Sequence, residues 1–453
     1  MLNTGLLKGL FSPDNSLPRW ALACVALGLA ACGFVFWHAA VNHGEAFNRD
    51  PSLNDQAVYI HMAQNLKAKP NGYIVPRMRM PLYAVYLSWF DIHDKSDEEA
   101  LAVAMRANVL LSLVCIATLA FAFHFWLGWR LSLLGALLSG FTWFIERAAY
   151  VQPEVLLATL VGLTCATLAE LLRKPAWWKA VLGGLLLAGW HMTKASGPVI
   201  MAIFLMACLV KLVLPGETPR RSLLFCAALV IASFILPILP YTLTTYRIFG
   251  SPFYNTQSKF FLWCEDAADK HALQVTKLAK RKPTPEELAD LPSPAKYLAS
   301  HTREEMWQRL TQGYRSMMNR VKRVHPELVK ALKTCFKILV VCALIWWRRA
   351  WVLVKERPAE FVFAGAVTGV FTALFAWMDA MKVGPRILTS IHLVPLFFCL
   401  LWIRELTRDD VVRTGPFTFS IEKLVAGCVL LPMLGYLAWL VVTQQLPSRY
   451  FGL

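Results

Sequence analysis

The sequence predicts an all-α polytopic membrane protein, with about eleven transmembrane helices and amphipathic interfacial helices in its outer loops. Three observations predict it. Of 453 residues, 57% are hydrophobic and only 17% charged, whereas a soluble domain carries about a quarter charged residues. Mean hydropathy is +0.47, and the apolar residues fall in runs long enough to cross a bilayer. The basic residues gather on one side of those runs. Disorder is excluded by the same abundance of Leu, Phe and Trp.

In chain order the spans are expected at 20–40, 101–126, 131–147, 153–172, 179–192, 197–214, 222–241, 334–347, 359–377, 386–403 and 422–443. The first run is too long, and Trp37-His38 too bulky, for a cleaved signal peptide. The organisation that follows is a cytoplasmic N-terminus (1–19), then a transmembrane core (20–241) that includes a first outer loop (41–100). A large outer, periplasmic loop (242–333) and C-terminal spans (334–453) complete it. With the N-terminus in the cytoplasm, 17 basic residues sit at cytoplasmic short ends. The outer short ends hold five: Arg147, Lys194, Lys382, Arg386 and Arg449. This bias orients the chain. It reads as a multi-pass protein of a cell inner (plasma) membrane, with its active face towards the periplasm.

The formal charge of +17 therefore needs no nucleic-acid partner, because most of it marks topology and is scattered over six loop ends. The loop 242–333 holds 16 Lys plus Arg against 9 Asp plus Glu, a surplus of seven facing outward. Within it Pro283-Thr-Pro285 and Leu291-Pro-Ser-Pro294 break regular structure. Residues 301–333 carry Trp307, Leu310, Tyr314, Met317 and Val321 among charges, a spacing that suggests an amphipathic helix on the membrane face. Of the eleven Cys ten lie in expected spans and only Cys264 in a loop, so they read as small apolar residues and not as a disulfide framework. There is no CxxC pair and no HExxH.

Candidate chemistry lies at the outer face. After the first span, Asp50 and Pro51 open a helix to about Leu66. On it Asp55, Tyr59 and Met62 share a face. Arg77 and Arg79 follow, before Pro81 and Tyr83. Arg suits a phosphate through its planar fork, though such cations also snorkel to headgroups. Glu146 and Arg147 end the third span, and Glu154 opens the fourth, where the helix dipole favours it. Lys194 joins the fifth and sixth spans, and Arg386 opens the tenth. His191 and His392 read as local hydrogen-bonding groups. Asp55, Arg77, Arg79, Glu154, Lys194 and Arg386 thus converge on one membrane surface. That set suits a base, an auxiliary acid and an anionic lipid phosphate. A divalent metal (Mg or Mn) shared by Asp55 and Glu154 is the one cofactor the pattern leaves open, although such sites usually need more oxygen ligands.

On these residues the chain resembles the GT-C superfamily of integral-membrane glycosyltransferases, in the branch of aminoarabinose transferases and dolichyl-phosphate-mannose mannosyltransferase-like proteins. Asp55-Gln56-Ala57-Val58-Tyr59 is similar to the motif after the first span, with Gln56 where many relatives carry Glu. Arg79-Met80-Pro81-Leu82-Tyr83, Gln152-Pro153-Glu154, Thr193-Lys194 and Tyr246-Arg247-Ile248-Phe249-Gly250-Ser251-Pro252 carry the rest. The resemblance implies a sugar moved from a polyprenyl-phosphate donor to a lipid, glycan or protein acceptor, with inversion. Asp55 would be the general base and Glu154 would orient acceptor or sugar. Tyr59, Arg77, Arg79, Tyr83, Lys194, Arg247 and Arg386 would bind substrate. A transporter or flippase of an anionic lipid-linked saccharide fits the same cations, but no internal repeat or broken mid-membrane helix supports it. A scaffold without activity leaves the Asp55 and Phe249-Gly250 motifs unexplained.

Overall fold

The computed structural model describes residues 19–53, 55–68, 78–214, 219–276, 278–381, 386–407, 411–414 and 417–420. The expected final span at 422–443, the cytoplasmic segment before Arg19, Arg77 and Lys382 lie outside the described residues.

The chain is helical almost throughout. Helix α1 (Arg19–Phe47) covers the first expected span, and α2 (Gln56–Ala68) lies in the first loop expected on the outer side. Helix α3 (Asp97–Ser139) contains the second expected span and the first part of the third. Its start is fixed by a capping box in which Ser96 and Glu99 satisfy each other's backbone N–H. At Gly128 φ is +70°, a conformation glycine adopts at little cost, and there the chain doubles back. The Ser132 hydroxyl donates to the Ala120 carbonyl, and a Cβ on Gly140 would lie 3.0 Å from Ile116. The two expected spans are therefore one tight antiparallel pair. A single turn of π-helix, Gly140–Phe144, then leads into Ile145–Ala148.

Next come α4 (Glu154–Arg173), α5 (Trp177–Thr193), α6 (Gly197–Val213) and α7 (Arg220–Phe249). Helix α7 ends at Gly250, left-handed at φ +73°. The Phe249-Gly250 motif is thus first of all a helix stop. The segment expected on the outer side follows, with α8 (Arg303–Val324) as its longest helix. Then come α9 (Pro326–Ile345), α10 (Trp347–Glu356), α11 (Pro358–Trp377) and α12 (Leu393–Thr407). A two-stranded antiparallel hairpin, Val411–Thr414 with Phe417–Ser420, is the only strand structure among the described residues.

By length and composition, four helical stretches among the described residues can cross a membrane: Asp97–Ala148, Glu154–Arg173, Arg220–Phe249 and Pro358–Met381. Gly197–Val213 is shorter and apolar. In α4, 83% of the apolar window is buried, against 33%, 33% and 28% in the others. Helix α4 is therefore the hub. It packs on α3, α5, α11 and α12, while the outer helices turn Leu224, Phe225, Leu236 and Phe121 outward, as a lipid-facing surface does. At the far end of α4, Glu405 pairs with both Arg173 and Arg357 at 3.1 Å. Two cations of the topology signal thus also tie α4, α11 and α12 together.

Two local expectations change. Asp50 does not cap α2. Its carboxylate accepts from the Ser52 N–H and hydroxyl at 2.8 and 2.7 Å, a local turn that outcompetes the helix. Helix α2 starts only at Gln56, which leaves Asp55 at the mouth of the helix rather than on its apolar face. The long amphipathic helix also differs from 301–333. It stops at His325-Pro326, where proline begins α9. Its apolar stripe divides: Met317 and Val321 are buried and α8 packs on α11, whereas Trp307 and Tyr314 are exposed.

Candidate functional site

Four chain segments that are distant in sequence meet beside the N-terminus of α4. Asp55 comes from the start of α2 and Arg79 from the segment before Pro81. Glu154 is the first residue of α4, and Arg386 begins a short turn ahead of α12. Asp55 Oδ1 pairs with Arg79 and Oδ2 accepts from Arg386 Nη2 at 2.7 Å. Arg386 Nε lies 3.6 Å from Glu154 Oε1. The Arg386 guanidinium therefore bridges the two carboxylates. Glu154 is 4% exposed at its side chain, and its Oε2 makes no hydrogen bond.

Lys194 completes the group from the other side. It follows the last residue of α5 in extended backbone and lies within electrostatic reach of Asp55, Arg79, Glu154 and Arg386. Burial, then the two arginines, push its pKa down to about 8, against the pull of Glu154 and Asp55. For Asp55, burial raises the pKa, but Arg79, Arg386 and Lys194 outweigh it and hold the carboxyl below its ordinary value. Asp55 is thus ionised at neutral pH, and each of its oxygens still has a free lone pair beside its arginine.

A cavity of about 110 Å³ opens next to Lys194. Its walls are Leu157, Val161, Trp190, Phe371, Leu374 and Ile391, and its polar edge is Lys194, Ser196 and Asn255. The arrangement is an apolar chamber with an amine at one end and a carboxylate–guanidinium cluster beyond it.

The supports of the site explain why α2 sits where it does. Gln56 is fully buried. Its amide exchanges hydrogen bonds with Asn48 at 2.7 and 2.8 Å and accepts from the Val151 N–H at 2.9 Å. Asn108 binds the carbonyls of Arg147, Ala148 and Tyr150. These amides pin the outer loop to the turn before Glu154. Tyr59 and Tyr83 are both buried, with rings edge to face at 5.2 Å, and Tyr83 donates to Asn108 at 3.0 Å. Both therefore belong to the packed scaffold beneath Asp55. Arg247 is exposed on the last turn of α7 and no described hydrogen bond or ion pair joins it to the cluster. Arg77 lies outside the described residues.

The structure adds residues that sequence reasoning passed over. Lys270 donates to the Met381 carbonyl at 3.3 Å. Burial, then Arg79 and Arg386, lower its pKa against the opposing pull of Asp55, so it stands close to the same cluster. In sequence it is one of sixteen cations in the outer loop, with nothing to single it out. Glu146 and Arg147 are buried and paired at 3.1 Å, and Glu146 Oε2 lies 2.9 Å from His325 Nδ1. His325 is fully buried, and its position just before Pro326 was the available clue. Among the described residues no three metal-ligating side chains converge. Asp55 and Glu154 turn to Arg386 instead, so the two carboxylates do not fit a shared metal.

Fold and site together define a polytopic helical membrane protein with a buried carboxylate–guanidinium–amine cluster at one end of its hub helix. No family model and no curated protein matches the sequence. Among solved structures the chain is similar to ArnT from Cupriavidus metallidurans in the apo state, at 13% identity and a TM-score of 0.37, covering 85% of this chain and 78% of that one.

Proposed function

We propose that the protein is a glycosyltransferase that moves a sugar from a polyprenyl-phosphate donor to an acceptor hydroxyl at the outer face of the membrane. The carrying observation is the place of Lys194, between an apolar cavity and the Asp55 cluster. A donor with a hydrocarbon tail and a phosphate head has this polarity. The tail enters the cavity, and the phosphate meets Lys194 and the arginines, which stabilise the charge that grows there. The acceptor oxygen attacks the anomeric carbon from the side opposite the phosphate. The C–O bond to phosphate breaks with its electron pair leaving on the phosphate, and the hydroxyl proton passes to Asp55. A single displacement of this kind inverts the anomeric carbon. Glu154 Oε2, buried without a hydrogen bond, supplies an acceptor for a sugar or acceptor hydroxyl. The basic-residue asymmetry supports an outward-facing site and a cytoplasmic N-terminus.

The test uses the full chain in proteoliposomes with a radiolabelled polyprenyl-phosphate sugar. Asp55→Asn should lower kcat by about 10²–10⁴-fold, the range of general-base catalysis, with donor binding retained. Near-normal turnover in that variant removes Asp55 as the base. Movement of intact donor across the bilayer, without transfer, removes the enzyme reading.

A further inference from the structure

A second cleft, of about 460 Å³, lies in the outer segment away from the apolar cavity. One wall is a polar stripe on α8, Gln308, Gln312 and Ser316, spaced at four residues so that they share a face. All three are exposed. The facing wall is Glu265 with His301, whose ring stacks on Tyr297 at 4.0 Å and 7°. The floor is Asp379 and Ala380.

Arg309 braces this cleft from below. Its side chain is 9% exposed, and its guanidinium lies over the Tyr297 and Trp377 rings at 5.0 and 4.6 Å. Nη2 donates to the Cys264 carbonyl at 2.8 Å and Nε to the Trp377 carbonyl at 3.3 Å. Nη1 makes no hydrogen bond and stands 3.7 Å from Glu265 Oε2. A buried donor left open at the edge of a cleft is a group waiting for an acceptor. The base of the helix is also held tightly: a Cβ on Gly313 would come within 2.0 Å of the Ala376 carbonyl, so α8 cannot drift from α11.

We infer that this cleft binds the saccharide part of the acceptor, a neutral or aminated sugar rather than an acidic one. Side-chain amides, carboxylates and a half-open guanidinium are the groups that read ring hydroxyls, and the stacked His301 offers a flat face. Arg320 pairs with Asp379 from outside the lining, and the carboxylates Glu265, Glu305 and Asp379 still outnumber Arg309 and Arg320, which disfavours an anion. The volume suits one or two sugar rings, within the usual range of small-ligand sites. The inference rests on the glycosyltransferase reading and deepens it. The four-residue turn Met378–Met381 divides the two chambers. Met378 lines the cavity beside Lys194, Asp379 and Ala380 floor the outer cleft, and the Met381 carbonyl holds Lys270 near Asp55. Donor and acceptor would thus approach from opposite faces of one turn.

The test is saturable saccharide binding to the full chain in nanodiscs, by calorimetry and tryptophan fluorescence, since Trp263 and Trp377 adjoin the Tyr297 ring. The probes are maltose, a glucosamine disaccharide and digalacturonate. Maltose or the aminated disaccharide should bind at least tenfold tighter than digalacturonate. Gln308→Leu with Gln312→Leu, both at exposed helix positions, should weaken that binding at least tenfold while the far-UV spectrum is unchanged. Binding should survive Lys194→Ala, which separates this cleft from donor recognition. Absence of saturable binding for all three probes overturns the inference, as does binding indifferent to the Gln308 and Gln312 changes.

Discussion

Replacing Arg386 by Met should expose how the cluster is held together. The guanidinium is the shared partner of Asp55, at 2.7 Å, and Glu154, at 3.6 Å. Removing one partner of a buried ion pair costs about 3–5 kcal/mol, because the other charge is left uncompensated. Asp55 retains Arg79, so the loss falls mainly on Glu154, whose side chain is 4% exposed. The lower end, about 3 kcal/mol, is the expected cost. In a domain of 150–250 residues one kcal/mol moves Tm by about 2–4 °C, and by less in a longer chain. A fall of several degrees in apparent Tm should appear in thermal scans run in detergent at one fixed rate. The decisive comparison is a double-mutant cycle. Adding Glu154→Gln to Arg386→Met removes the stranded charge and should recover at least about 1 kcal/mol, a coupling typical of contacting groups. Unchanged stability in Arg386→Met, or simple additivity of the two losses, would refute the bridging role.

Lys194 makes the alkaline limb of the pH profile. Its pKa is about 8 in the free protein, so kcat/KM should fall as pH rises through 8, the amine losing the charge that binds phosphate. The lowered pKa of Asp55 puts the acid limb below the ordinary carboxyl value of about 3.9, so activity should hold between pH 5 and 7. Lys194→Ala should raise donor KM and abolish the limb near 8; a limb that persists assigns it to another group. His325→Ala should destabilise the chain by about 1–3 kcal/mol, the cost of a buried partner left unpaired. Scanning calorimetry and protease susceptibility of the outer segment would read it, and an unchanged Tm would show that Glu146 and Arg147 need no third member.

Much of the site was legible because membrane topology converts sequence position into depth. Asp55, Arg79, Glu154, Lys194 and Arg386 could be assigned to one face from helix ends alone, and the structure brings those five together. The pairing order could not be read. Nothing in the sequence says that Arg386, not Arg147, bridges to Glu154, since both stand at helix ends on the same side. Arg147 is instead drawn to His325 from the far end of the outer segment. The roles of Tyr59 and Tyr83 were ambiguous for a related reason: spacing gives a shared face, but not whether another chain segment covers it. The α2 boundary departs from the expected one because Ser52 gives Asp50 a nearer partner than the helix does. The Gly128 turn was implicit in two adjacent spans with a four-residue gap.

Gln56 has a consequence for how the protein meets changing surroundings. Its amide gives and receives hydrogen bonds at once, donating to Asn48 and the Asp50 carbonyl while accepting from Asn48 and the Val151 N–H. A carboxylate there could only accept, and its hold would come and go with protonation. The joint between the first outer loop and the turn before Glu154 is therefore indifferent to acidity, while the amine above it is not. As pH changes, the Gln56 joint would stay constant while the charge on Lys194 adjusts.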